Sequence, residues 1–223
     1  MSYSRKRIIE KWKKYAPHFY WGPRFDVRFY LVSEVLKYKG FNSILDIGCG
    51  PGIILSEPRI KLKIGIDISK EFITIAKKVD KRNMFLICDM TRLPFKSDFF
   101  DAVIAAGIME IPNLKGKIEL KQEIHRVLRN HGVLFLSTVN GQHRKYMKYR
   151  RPLKGSNITP ITKTELKRIL KGFSFKKIIG YNPLPTQNLF WRIPGFEKIV
   201  FFLIRLNLFS SLYLFFYVRA VKE

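Results

Sequence analysis

Seven consecutive residues, Asp46-Ile47-Gly48-Cys49-Gly50-Pro51-Gly52, set three glycines at alternate positions behind a carboxylate, at the end of the short apolar run Ile44 to Ile47. Glycine adopts positive φ without strain and lets backbone N–H groups approach a ligand where a side chain would intrude. A turn of this kind after a buried strand lies where open α/β sheets bind their ligands. The spacing is not that of a dinucleotide fingerprint, whose third glycine would fall at position 53, occupied here by Ile53. Two further acids each close an apolar run: Asp67, 17 residues past Gly50, and Asp89, within Cys88-Asp89-Met90. Carboxylates on adjacent strand ends suit a nucleoside, one accepting from ribose hydroxyls and the other from an exocyclic amine. Ile68 and Met90 would wall the base. Taken singly, either acid reads as an N-cap or turn former; the ordered set, each member at a strand end, points to a site.

The elements that must position these groups follow from the pattern. Ile44 to Ile47, Lys63 to Ile68, Met84 to Ile87, Asp101 to Ala105 and Val133 to Ser137 read as buried strands. Phe29, Val32, Val35 and Leu36 lie at helical spacing before a Gly40 stop, and Phe72, Ile75, Ala76 and Val79 form a helical face behind Ser69, a candidate N-cap. Leu120, Ile124, Val127 and Leu128 mark a later helix, closed by His131-Gly132. Thr162-Lys163-Thr164-Glu165 is a capping box, with Gly172 ending its helix. Phe175 to Tyr181 and Leu212 to Val221 read as two closing strands. Strands apolar on both faces, alternating with amphipathic helices, predict an α/β doubly wound, mostly parallel sheet. Glu57-Pro58 limits the helix after the glycine turn to about one turn.

The chain has 223 residues, two cysteines and a formal charge of +25. Its length and the lack of an internal repeat favour a single domain over 1–223: an N-terminal basic and aromatic segment (1–40), a ligand-binding core (41–139) and a substrate-side region (140–223). Abundant aromatics exclude a disordered chain, and two cysteines exclude a disulfide-stapled secreted scaffold. The N-terminus shows no signal peptide, so the expected setting is cytoplasmic. No Cys/His set has metal-site spacing, and no metal is expected. The positive charge is concentrated on the flanks: residues 140–180 hold twelve Lys and Arg against the single acid Glu165. Arg144, Lys145, Lys148, Arg150, Arg151 and Lys154 could attract phosphate on nucleic acid or on an anionic membrane, or could form a solvated surface.

The ordered motifs resemble the class I S-adenosylmethionine-dependent methyltransferases, in particular the small type 11, ubiquinone/menaquinone-biosynthesis kind. The likeness covers roughly Ser43 to Thr138 and rests on Leu45 to Gly52, Gly65-Ile66-Asp67-Ile68-Ser69, Asp89, Leu93-Pro94-Phe95, Phe100-Asp101, and Glu123 to Ser137. It implies a Rossmann-like seven-stranded sheet with an antiparallel last strand, S-adenosylmethionine as cofactor and S-adenosylhomocysteine as product. Carried over, Gly48 and Gly50 would contact the methionine and ribose portions, with Cys49 and Gly52 of the same turn also among the cofactor-binding residues. By the same resemblance Asp67 would hold the ribose hydroxyls, Asp89 would accept from the adenine amine with Ile68 and Met90 against the base, and Asp46 would support the loop and the amino group. Ile104-Ala105-Ala106-Gly107 departs from the family, which more usually bears Ser or His after the fourth strand.

Methyl transfer from a sulfonium is an in-line displacement that positioning and desolvation can accelerate, so a catalytic residue need not be legible. His143 and Tyr146, or His18, Tyr15 and Tyr20 from an N-terminal lid, could meet substrate or serve in packing. No Asn/Asp-Pro-Pro-aromatic segment follows the fourth strand, which disfavours adenine-amine methylation of nucleic acids. Cys49 and Cys88 stand at positions suited to packing, not to attack on a pyrimidine. The apolar run Ile199 to Val218 is interrupted by Arg205 and Asn207, against a membrane span. It divides into a helix, about Phe196 to Leu208, and the last strand. The insertion at about 182–209 reads as a lid, a dimer contact or a surface touching the membrane peripherally. The resulting expectation is methyl transfer to a small-molecule or lipid-like acceptor. RNA methylation through the basic patch, or a non-catalytic cofactor-binding subunit, stand as alternatives.

Overall fold

The computed structural model describes residues 31–32, 34–56, 60–110, 114–142, 159–181 and 215–223. His143, Tyr146, His18, Tyr15, Tyr20, the cations at 144–154, Glu57-Pro58 and the insertion at 182–209 lie outside the described residues.

Seven strands form one sheet: β1 (Ser43–Ile47), β2 (Leu62–Asp67), β3 (Met84–Ile87), β4 (Phe100–Ala106), β5 (Leu128–Val139), β6 (Phe173–Tyr181) and β7 (Phe215–Lys222). Their order is β3-β2-β1-β4-β5-β7-β6. The strands β1 to β5 pair in parallel, and β7 runs antiparallel between β5 and β6. This is the expected doubly wound sheet with its antiparallel last strand. Besides helical residues at 31–32 and 34–35, three helices are described, α1 (Lys70–Val79), α2 (Leu114–Val127) and α3 (Lys163–Ile169), together with a 3-10 turn at Ile54–Ser56 after the glycine turn.

The central strands are apolar on both faces because both are covered. Ile44 points into a core formed with Leu31, Val32, Val35, Ile53, Leu55, Ile73 and Ala76. Its neighbours Leu45 and Ile47 point into the opposite core, with Leu120, Ile124, Val127, Leu166 and Leu170. Local signals set the helix starts. The Ser69 hydroxyl accepts from Phe72 N–H at the head of α1, and Thr162 and Glu165 form the reciprocal capping box of α3. The buried centre of α1 is Ile73 and Ala76, with Phe72, Ile75 and Val79 half-buried around it.

One boundary departs from the sequence reading. The helix α2 ends at Val127, and Leu128 already pairs with Phe100 as the first residue of β5. His131 (φ 63°) and Gly132 then form an irregularity inside the strand, between the Phe100 and Ala102 pairings. The carbonyl of Leu128 accepts from Lys222 Nζ at 2.8 Å, which fixes this early entry into the sheet. A helical apolar period and a buried strand share Leu128, so the pattern alone did not separate them.

Candidate functional site

The parallel strands end along one edge of the sheet, and the glycine turn leaves β1 there. Gly48, Gly50 and Gly52 all have positive φ, between 51° and 69°. Space as well as conformation demands glycine at two of them: a Cβ on Gly48 would lie 2.5 Å from Ile108 Cγ2, and one on Gly52 would lie 2.7 Å from the Phe85 ring. The turn is thus pressed between β3 and the segment after β4. Ile108 fills the place next to Gly48, giving that segment an apolar contact with the turn.

The turn is spliced to β2 by its backbone. Cys49 N–H donates to Ile66 O and Gly50 N–H to Asp67 Oδ2, both at 2.9 Å, while Asp67 Oδ1 accepts from Ser69 N–H at 2.9 Å. A single carboxylate therefore ties the glycine turn to the head of α1. On the next strand Cys88 N–H donates to Asp67 O at 3.0 Å. Asp89 Oδ1 accepts from both the N–H and the hydroxyl of Thr91 at 2.8 Å, and these bonds lower its pKa below the usual carboxylate value. Asp67 and Asp89 stand on adjacent strand ends as the sequence predicted. Ile68 is exposed beside them, and Met90 packs partly against the α2-side core.

Beneath the turn, Asp46 is fully buried, and among the described residues neither of its oxygens has a hydrogen-bond partner. Burial, and then the neighbouring charge of Asp67, push its pKa well above the ordinary value. A carboxyl so placed has desolvation and a like charge against it and, among the described residues, no cation in its favour. Cys49 is buried with its thiol pKa pushed up, first by burial and then by Asp46 and Asp67; its sulfur lies 2.9 Å from where a Cβ on Gly65 would sit. That is a packing thiol.

Further along the edge, after β4, Gly107 (φ 70°) donates to Ser137 O at 2.9 Å. Glu110, which the sequence did not single out, is buried; its Oε1 accepts from Val139 N–H at 2.6 Å and its carbonyl from Thr159 N–H at 3.1 Å. Burial raises its pKa, and the Val139 N–H, the Thr138 hydroxyl and the charge of Lys117 oppose that rise. Asn140 pairs with Ile161, so the two ends of the basic stretch between them meet at the end of β5. Among the described residues no group of His, Cys, Asp and Glu could hold a metal ion.

A methyltransferase domain matches residues 45–136, the span that contains the glycine turn and both strand-end acids. The chain carries a methyltransferase domain of the class I S-adenosylmethionine-dependent kind. Within this family of enzymes it is 29% identical over 217 residues to the ubiquinone biosynthesis O-methyltransferase of Glaesserella parasuis, a match covering 82% of this chain and 90% of that one. It is 36% identical over 81 residues to the 18S rRNA (guanine-N(7))-methyltransferase bud23 of Schizosaccharomyces pombe, a match spanning 34% of this chain and 30% of the relative. Among solved structures, an S-adenosylmethionine-dependent methyltransferase of Methanosarcina mazei has the same fold, with TM-score 0.60 at 18% identity, over 86% of this chain and 96% of that chain.

Proposed function

We propose that this methyltransferase moves a methyl group from S-adenosylmethionine to a small-molecule or lipid-like acceptor, with the cofactor held along the β1–β3 edge. The observation that carries the cofactor assignment is the buried carboxyl of Asp46 beneath the glycine turn, which has no partner among the described residues. The α-ammonium of a bound amino acid supplies the cation that Asp46 lacks, and the turn glycines leave room for backbone to approach that portion. Asp67, with both oxygens already oriented by Gly50 and Ser69 N–H groups, has lone pairs left for the ribose hydroxyls. Asp89, kept ionised by Thr91, accepts from the adenine amine, with Ile68 and Met90 against the base. When bound, the cofactor supplies an activated methyl on a sulfonium; the protein's part is to orient it toward the acceptor and exclude water.

Calorimetric titration tests this half. Micromolar binding of S-adenosylmethionine and S-adenosylhomocysteine is expected, with none of NAD; absence of binding to the first two would sink it. The acceptor class is supported by the near full-length match to a ubiquinone-pathway enzyme and by the apolar residues between 182 and 209. Labelled S-adenosylmethionine offered with phenolic prenyl lipids and with bulk RNA separates the readings. Label in the organic phase is expected. Label in RNA, falling steeply as salt rises, would instead favour RNA methylation through the basic stretch at 140–180, the reading that the rRNA methyltransferase match supports.

A further inference from the structure

The connection between β3 and β4, residues 88–99, carries Asp89 and Met90 yet contains neither helix nor strand. A segment without its own ladder must find partners elsewhere for its backbone polar groups. Next to Asp89 the partners are local: Thr91, and a turn in which Arg92 N–H donates to Asp89 O at 3.1 Å. Farther on they come from two side chains of α2. Glu123 Oε2 accepts from Leu93 N–H at 2.6 Å. Arg126 donates from Nη2 to Leu93 O at 2.9 Å and from Nη1 to Phe95 O at 2.6 Å. The two side chains also form a bidentate pair, Nε to Oε1 at 2.7 Å and Nη2 to Oε2 at 2.8 Å.

Four of the five guanidinium N–H groups are therefore engaged, two on the carboxylate and two on loop carbonyls. Only the planar fork of arginine does this; a lysine ammonium can neutralise Glu123 without holding the fork's geometry. The hydrogen bonds from Arg126 and Leu93 N–H keep Glu123 ionised, with its pKa below the usual value. Three residues past Phe95, the main chain of α2 takes over, as Asp98 N–H and Phe99 N–H donate to Arg126 O and Val127 O at 2.9 Å. Leu93 is buried in the same core against which Met90 packs. Fixing Leu93 and Phe95 thereby fixes the span that presents Asp89.

We propose that Glu123 and Arg126 are positioning residues for adenine recognition: acting through the backbone of Leu93 and Phe95, they hold Asp89 and Met90 where the base is read. This rests on the assignment of Asp89 to the adenine amine. A merely structural pair would change stability alone, whereas a positioning pair changes which base is preferred.

The test compares dissociation constants for S-adenosylhomocysteine and for its analogue lacking the adenine 6-amino group. The wild-type protein should prefer the former by about tenfold, the loss of one hydrogen bond to a charged acceptor. In Arg126→Ala and Glu123→Ala the preference should collapse to within about twofold, with S-adenosylhomocysteine itself bound several-fold more weakly. In Arg126→Lys it should be intermediate. Hydrogen exchange at the Leu93 amide should accelerate in the same order. If the alanine variants do not fold, Glu123→Gln, which keeps an acceptor for Leu93 N–H, and Arg126→Lys carry the comparison. A folded variant that keeps the wild-type preference, or an unchanged Leu93 amide, overturns the proposal. Asp89→Ala distinguishes the underlying assignment: a preference that survives it but collapses in the Arg126 variants assigns the reading of the amine to another residue held by the same pair. A wild-type protein with no preference overturns both.

Discussion

Asp46, below the glycine turn, and Glu110, after β4, are both buried acids near the carboxyl edge of the sheet with pKa values raised by burial, but their neighbours differ. Asp46 faces a second carboxylate, Asp67, and neither of its oxygens has a partner among the described residues. Glu110 accepts from Val139 N–H and has the buried Lys117 nearby, whose own pKa is lowered by burial and supported by Glu110. Among the described residues one acid has its counter-charge built in and the other does not, although Glu110 Oε2 too lacks a hydrogen-bond partner there. The difference teaches how to read a buried carboxyl. A compensated one belongs to the fold, while one left with desolvation and like charge persists where something outside the chain compensates it.

Asp46→Asn is the strongest way to break that contrast. Asparagine keeps the shape and removes the charge, so S-adenosylmethionine should bind about thirtyfold more weakly, on the order of 2 kcal/mol for a lost charge-assisted bond. The ligand-free protein should become more stable. The folded pKa of Asp46 lies above its unfolded value, so the wild-type penalty is absent below the unfolded carboxylate pKa of about 3.9. It grows with pH until the folded pKa is reached. Thermal melts at neutral pH should therefore rise in the variant while calorimetric affinity falls. A variant that melts lower and binds equally well would place Asp46 in the same class as Glu110.

Asp67→Ala is next in size. It removes the acceptor of Gly50 N–H and Ser69 N–H, and with it the carboxylate proposed to hold the ribose. The dissociation constant should rise about tenfold or more. Unchanged affinity in calorimetry would separate the glycine turn from ribose binding.

Glu110→Gln sharpens the comparison from the other side. The Val139 N–H keeps an acceptor, but the buried Lys117 loses one of its two acids and keeps only Glu165. Stability should drop by about 1–3 kcal/mol, read by denaturant unfolding, while S-adenosylmethionine affinity stays within about twofold. A large loss of affinity with unchanged stability would bring Glu110 into the cofactor site.

The strands and the strand-end acids were legible because buried parallel strands write short apolar runs whose ends are marked by the residues that follow. Asp67 and Asp89 sit at those ends, and Ser69 and Thr162 announce helices by capping chemistry that is local in sequence. The residues that escaped notice have distant partners. Glu110 meets Val139, 29 residues on; Arg126 meets Leu93 and Phe95, 33 and 31 residues back. In the chain, Glu123 and Arg126 look like an ordinary i,i+3 pair on a helix, and nothing local says that they also hold a loop. The early start of β5 was hidden for a related reason, since Lys222 Nζ, its anchor on Leu128 O, is 94 residues away.

Glu34 extends the series to the opposite limit. It is buried on the helical turn before β1, yet the cations Lys37, Lys177 and Arg219 surround it, the last two reaching Oε2 at 3.5 and 3.8 Å. Burial alone raises its pKa, but the Lys37 hydrogen bond and the charge of Lys177 outweigh it and leave the pKa lowered. The sign of the pH dependence is therefore the reverse of that for Asp46: the contribution to stability is fully present above the unfolded carboxylate pKa and is lost as pH falls through the folded one. Because the three cations are partly exposed, Glu34→Gln should cost only about 1 kcal/mol at neutral pH. Between pH 5 and 3 the variant should lose less stability than the wild type, with no change in cofactor affinity. Parallel acid melting curves for the two proteins would mean that the three cations leave the proton affinity of Glu34 as it is in the unfolded chain, and the ordering of Asp46, Glu110 and Glu34 by their counter-charges would lose its third member.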